Sequence, residues 1–537
     1  MRTIEAPSTP RLPARWRFRG RLPWVAGTVA AAIALLPCYL RVAGTVPVLS
    51  DGAGNALQAW DMWHGNPLLH GWWVTDVSFY TTELPQYALV EIVAGLRPEV
   101  VHICAAITYT LLVLLAAFVA RGRARGGEGL VRALLAGGIM LAPQPGAPTW
   151  ILMSSPDHVG TTVPILVLLL LLDWAKPRWW VPVAAGILLA WSIVGDPLVL
   201  VIGVVPVAAV CLVRGCLTAW RTAPRRAWLE FSLAGAAVLA VPAALAVDRV
   251  IPALGGFATN KGVSGLVPFS VMPHNLSLTG QSVLSLFGAD AVGVHGGTQR
   301  AFAYIHLVGV ALVAVAIVVT GWRFARSLGA RSGQSRAGQP DLVAELLAVA
   351  IVINVIAFIA TFRLANIYQA HEVGPVLALG AALAGRQFGG PLLRARLMPV
   401  LAAGLACYAV MLGFAVARPQ TPPSNATLAT WLARHGLRDG IAGYWQATSV
   451  TLDTGGTIGM GPVTPDGSGQ LAARHWEADM RYFNPAAHSA NFLVLGPDGG
   501  VSQAEGVATF GRPVRVYRYQ DYTILVWQQN LLRKLVS

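Results

Sequence analysis

Charged residues are scarce in this chain. Asp, Glu, Lys and Arg make up 12% of the 537 residues, while apolar residues make up 55%. A soluble domain carries about a quarter charged residues, so this ratio points to a polytopic membrane protein. Acids are scarcer than bases, 25 against 39. The resulting charge of +14 does not indicate a nucleic-acid partner, because Lys and Arg fall in short clusters between apolar runs and form no continuous basic face. Cysteine is nearly absent. Cys38, Cys104, Cys211 and Cys407 lie in or beside apolar runs and Cys216 in a basic loop, which argues against a disulfide framework, a Cys-based metal site and thiol redox chemistry. No small-residue cleavage site follows the basic start (Arg11, Arg15, Arg17, Arg19, Arg21), so the first apolar run is expected to be retained as a span.

Long apolar runs are what the chain has in quantity. A hydrocarbon core about 30 Å thick needs roughly 20 apolar helical residues. On that criterion eleven spans are expected, near 24–46, 98–120, 129–146, 159–175, 180–195, 197–213, 228–247, 301–320, 343–362, 372–386 and 397–417. With the amino terminus inside, the cytoplasmic loops hold Arg121, Arg123, Arg125 and Arg132, then Lys176 and Arg178, Arg214 to Arg226, Arg323 to Arg336, and Arg386 to Arg396. The opposite loops carry few cations, chiefly Arg97, Arg249, Lys261, Arg300 and Arg363. This bias predicts a multi-pass plasma-membrane protein whose amino terminus is cytoplasmic and whose carboxyl terminus, after an odd number of spans, is extracytoplasmic.

Three regions follow. Residues 1–23 form a basic cytoplasmic start, 24–417 a transmembrane helix bundle with a first outer loop over 47–97, and 418–537 a soluble segment. The last has Pro and Gly punctuation, alternating runs such as NFLVL and YTILVW, and an amphipathic opening that reads as a helix capped by Asn425 or Thr427. The fold class is therefore mainly α, with a small α+β domain on the outer face.

On this topology the acids and histidines gather outside. The first outer loop carries Asp51, Asp61, His64, His70, Asp76 and Glu83; later loops carry Asp157 and His158, then Asp196, then Asp248, His274, Asp290 and His295, then His371 and Glu372. Asp51 sits just beyond the first span, where an ionised carboxylate stays hydrated, and it reads either as a helix cap or as a catalytic base; the roles are compatible. Trp60, Trp63, Trp72 and Trp73 suit interfacial anchoring or stacking on a sugar ring. Asp157 beside His158 is a functional candidate, although adjacent helical residues diverge by about 100°. Arg363, shortly before His371 and Glu372, is the cation a lipid phosphate would want.

A first span followed directly by an acid in a long outer loop with interfacial helices, many further spans and an outer carboxyl-terminal domain resembles the GT-C class of polytopic glycosyltransferases. The resemblance implies a mannosyltransferase-like enzyme that takes a sugar from a polyprenyl-phosphate donor and attaches it to an envelope glycan, lipid or protein outside the membrane. Asp51 matches the class's first-loop carboxylate, implying a catalytic base. Asp61, His64, Glu83, Asp157, His158, Arg363, His371 and Glu372 are expected to bind substrate, with Arg363 or Lys261 at the phosphate. The class's frequent pair of adjacent carboxylates is missing, since Gly52 follows Asp51, and a divalent cation is left open. Abundant Ala, Gly and Arg suit a GC-rich bacterial source. The alternatives are a transporter, for which Gly195-Asp196-Pro197 is the nearest sign of a broken helix, and a non-catalytic envelope-assembly scaffold.

Overall fold

The computed structural model describes residues 22–260, 265–292, 296–329, 341–361 and 366–535. Among these, eight helices are long and apolar enough to cross a membrane. The expected spans near 129–146, 159–175 and 180–195 are instead helices of 15, 13 and 16 residues (Gly126–Met140, Thr162–Trp174 and Trp180–Gly195). At 1.5 Å per residue these reach only about 20–24 Å, short of a 30 Å core. Apolar composition extended the sequence-based spans into adjoining loops, such as Ser154–Thr161, whose backbone lies inside the protein, where non-helical structure is tolerated.

Small residues let the bundle close. Helix Pro375–Arg394 is buried along most of its length, and a Cβ on its Gly385 would stand 2.6 Å from the Arg132 carbonyl oxygen and 2.7 Å from Ala120 Cβ. Three helices meet there at a distance only glycine allows. The bundle sorts its polar loops to two ends. At one end Arg386 donates to both oxygens of Asp341 at 2.8 Å, to Asp173 Oδ2 at 2.8 Å and to the Val119 carbonyl at 2.6 Å. At the other end lie Asp51, Asp157, Asp196 and Glu372.

The soluble part is built on strands β3 (Asp439–Ala442), β4 (Gly459–Pro465), β5 (Leu471–Ala473), β7 (Phe492–Leu495), β8 (Arg515–Tyr519) and β9 (Tyr522–Val526), in the order β5-β4-β3-β7-β9-β8. β3 runs parallel to β4 and β7, and the outer pairs are antiparallel. Phe492 and Val494 join one core with Leu428, Leu432 and Val450; Leu493 joins the other with Phe510 and Trp527. The period-two runs are thus buried on both faces, under helices Ala426–Arg434 and Tyr444–Asp453 on one side and Gln503–Phe510 on the other.

Two short strands from loops of the bundle, β1 (Trp72–Val74) and β2 (Ala258–Thr259), join with β6 (Ala478–Asp479) in a second sheet of order β2-β1-β6. The carboxyl-terminal region is therefore stitched to the bundle. Asn425 stands at the helix start, but it does not cap: its amide donates to the Trp445 carbonyl and Ser449 Oγ, and its Oδ1 accepts from Tyr522. Nor do the four tryptophans act alike. Trp63 is half exposed, whereas Trp72 is buried with its indole N–H on Asp61, and Trp73 packs edge-on against His475.

Candidate functional site

Asp51 occupies the first turn of helix Ser50–Trp63, whose N-cap is Leu49 with no side-chain cap. The capping role is not realised, and the carboxylate is left for tertiary contacts. Its Oδ1 accepts from the Tyr444 hydroxyl at 2.5 Å, while Oδ2 has no hydrogen-bond partner among the described residues and stays partly open to solvent. Tyr444 also hydrogen-bonds Glu477. One phenol carries one proton, so it donates to one carboxyl and accepts from the other. Burial drives Glu477 well above the usual carboxyl range, and the Asp51 charge adds to this. Glu477 is thus the neutral acid that donates to Tyr444, and Tyr444 donates to Asp51. Burial raises Asp51 as well, but the Tyr444 bond, Arg474 and His158 oppose it. The Arg474 guanidinium lies 5.0 Å over the Tyr444 ring and in no ion pair among the described residues.

Glycine makes this approach possible. A Cβ on Gly54 would stand 2.5 Å from Glu477 Oε2, so any side chain there would displace the acid. One helical turn from Asp51, Asn55 donates to Asp157 Oδ1 at 2.6 Å, and Ser155 donates to Oδ2. Burial, with the Asp51 charge adding to it, pushes Asp157 up to about 6.

His158 is the cation of the cluster. Burial lowers it, but Asp196 Oδ2 at 2.9 Å, Glu372 Oε1 at 3.9 Å and neighbouring Asp157 outweigh burial and push it up to about 10, so it is an imidazolium at neutral pH. Asp196 reaches it because Pro197 stops the preceding helix; Asp196 Oδ1 then accepts from the Leu198 N–H, leaving Oδ2 for His158 and for Thr161 at 2.7 Å. Glu83, 2% exposed, has Oε1 3.4 Å from the Thr161 hydroxyl oxygen, whose proton goes to Asp196, and is raised well above the usual range by burial. His371 and Glu372 complete the rim. Phe79, His158 and Glu477 all adopt left-handed backbone conformations (φ 49°, 53° and 46°), strain that the surrounding packing holds at this site.

The structure therefore gathers Asp51, Glu83, Asp157, His158, His371 and Glu372 in one cluster. It separates Asp61, which accepts from Asn66, Trp72 and Arg481, and His64, which is exposed and packs on Trp60. Arg363, Lys261 and His295 lie outside the described residues. Sequence reading missed Glu477 and Arg474 and passed over Asn55 and Thr161. The segment RHWEAD is charged enough to mark Arg474 and Glu477, but nothing local shows that it folds back onto Asp51. Among the described residues, no three His, Cys, Asp or Glu side chains converge as a metal-ligand set.

No protein-family model matches the chain, and no curated protein matches it. Solved structures do. ArnT from Cupriavidus metallidurans bound to undecaprenyl phosphate superposes with a TM-score of 0.54 at 14% identity, over 94% of this chain and 98% of that one. The apo oligosaccharyltransferase of Archaeoglobus fulgidus aligns with a TM-score of 0.45 at 13% identity, over 88% and 69%; that score carries no weight for the fold. The ArnT superposition runs through the bundle and the carboxyl-terminal region alike, and at this identity it speaks to architecture: the chain shares the fold of ArnT.

Proposed function

We propose that this protein is an integral-membrane glycosyltransferase that moves a sugar from a polyprenyl-phosphate donor to a cell-envelope acceptor, at the extracytoplasmic ends of its helices. The observation that carries the reading is Asp51: a carboxylate with one oxygen held by Tyr444 and the other free, at the mouth of a buried acid cluster. The fold shared with ArnT, whose structure contains undecaprenyl phosphate, supports a lipid-linked donor. The charge bias of the loops supports an extracytoplasmic site with the amino terminus inside.

In this mechanism the acceptor hydroxyl lies against Asp51 Oδ2. As its oxygen attacks the anomeric carbon, Asp51 takes the proton and the bond from that carbon to the phosphate oxygen breaks, its electron pair leaving with the polyprenyl phosphate. The Glu477–Tyr444 chain holds Asp51 in place and keeps it anionic until the attack. Arg474 supplies positive charge for the phosphate, and the imidazolium of His158 offsets the surrounding carboxylates. Positioning by bundle and domain does the rest.

The test is transfer from radiolabelled polyprenyl-phosphate sugars to an envelope fraction, comparing membranes that contain the native protein or Asp51→Asn at equal expression. Loss of transfer in a folded variant is expected. Equal transfer would remove Asp51 as the base, and no transfer from any donor would overturn the reading.

A further inference from the structure

The mechanism leaves one set of buried groups without a role. Helix Leu84–Ala94 exposes Leu89, Ile92 and Val93 at 67, 49 and 89%, the apolar face that a membrane interface covers. Its other face, starting at the N-cap, carries Glu83, Tyr87 and Glu91, exposed at 2, 0 and 1%. Four-residue spacing sets these in one row with Cβ atoms about 5–6 Å apart.

None of the three is fully satisfied. Among the described residues, Glu83 Oε2, the Tyr87 hydroxyl and both Glu91 oxygens have no hydrogen-bond partner. Helix Ser50–Trp63, which packs against this helix, adds two more such atoms, Asn55 Oδ1 and Gln58 Oε1. Tyr87 lies within the electrostatic reach of Asp157, Glu83, Glu91 and Cys104, so the row begins at the acid cluster. It ends one turn before Gly95 and the exposed Arg97 at the interface. A buried polar oxygen left unpaired loses its hydration with nothing in return. Six such atoms on two packed helices call for a small hydrogen-bonding partner, and water is the simplest one.

We propose that this seam is a hydrated proton path from the acid cluster to the membrane interface, with Tyr87 and Glu91 as its relay groups. The proposal rests on the reading of Asp51 as the base, because it gives the proton taken from the acceptor hydroxyl a way out. The proton passes from Asp51 to Asp157, and through water to the Tyr87 oxygen as the phenol gives up its own. It then reaches Glu91, which releases a proton to water near Arg97. Each relay group gains one proton and loses one, so each turnover leaves the seam unchanged. Tyr87 and Glu91 do not touch substrate; they act through Asp157.

The test uses the full chain in lipid nanodiscs and infrared spectroscopy. The protonated Glu91 carboxyl is identified as the carbonyl band lost in Glu91→Gln, and its exchange is followed after mixing into D2O. The band is expected to shift within the mixing time in the native protein and at least about tenfold more slowly in Tyr87→Phe, with melting temperatures confirming that both variants fold. A band that fails to shift over hours, exchange in Tyr87→Phe as fast as in the native protein, or no band lost in Glu91→Gln would overturn the path. This readout needs no sugar transfer, so failure of the transferase reading shows in the transfer assay alone. Where the native protein transfers sugar, Tyr87→Phe lowers kcat and leaves KM unchanged; an unchanged kcat would show that the proton leaves by another route.

Discussion

Replacing Tyr444 with Phe removes one oxygen and keeps the ring, and that oxygen ties the carboxyl-terminal region to Asp51. The bond it donates to Asp51 is 2.5 Å long and ends on a charged acceptor. Such bonds contribute about 1.5–3 kcal/mol, and one pH unit corresponds to about 1.4 kcal/mol. The Tyr444 bond lowers a carboxyl that burial has raised, so its loss raises Asp51 further and leaves less of it ionised at any given pH. The acidic limb of kcat/KM for polyprenyl-phosphate-sugar transfer should therefore move up by about 1–2 pH units, a loss of about 10- to 100-fold on that side of the profile. Glu477 also loses its acceptor, and a melting-temperature drop equivalent to about 1–3 kcal/mol should accompany the change. Glu477→Gln is the companion variant. Its amide N–H donates to Tyr444 as the neutral acid does, so the limb should barely move. A limb unmoved in Tyr444→Phe, or shifted strongly in Glu477→Gln, would refute the donor chain running from Glu477 through Tyr444 to Asp51.

Two further outcomes concern stability. His158 is raised from about 6.5 to about 10 in the folded state, so its contribution is fully present below pH 6.5 and is lost as pH rises towards 10; melting temperature should fall across that window by the equivalent of roughly 2–4 kcal/mol and stay flatter in His158→Gln. At the other end of the bundle, Arg386→Met should cost about 3–5 kcal/mol by leaving Asp341 without a cation and Asp173 with only the exposed Arg123 at 3.8 Å, and adding Asp341→Asn should recover part of the loss, read by thermal melting in detergent.

Much of the bundle was legible because apolar runs long enough to span a bilayer are a local property, and so is the shift to turn-rich, alternating sequence after residue 418. The three short helices were not, because hydropathy measures apolarity and does not report where the helical backbone ends. Asp51, Asp157 and His158 stood out as ionisable groups next to spans, where an unexplained charge is costly. Asp61 has the same local signature, yet Asn66, Trp72 and Arg481 occupy it, and that distinction depends on β6 pairing with β1 across more than 400 residues of chain.

Composition alone determined that the chain lives in a membrane. Only the tertiary structure decided that the site spans two domains. Tyr444 and Glu477 meet Asp51 because helix Tyr444–Asp453 begins where β3 ends, against Ser50 and Asp51, and because Gly54 leaves room for the Glu477 carboxyl. That meeting depends on long-range strand pairing and on the space left by a missing side chain, neither of which any local stretch of sequence records.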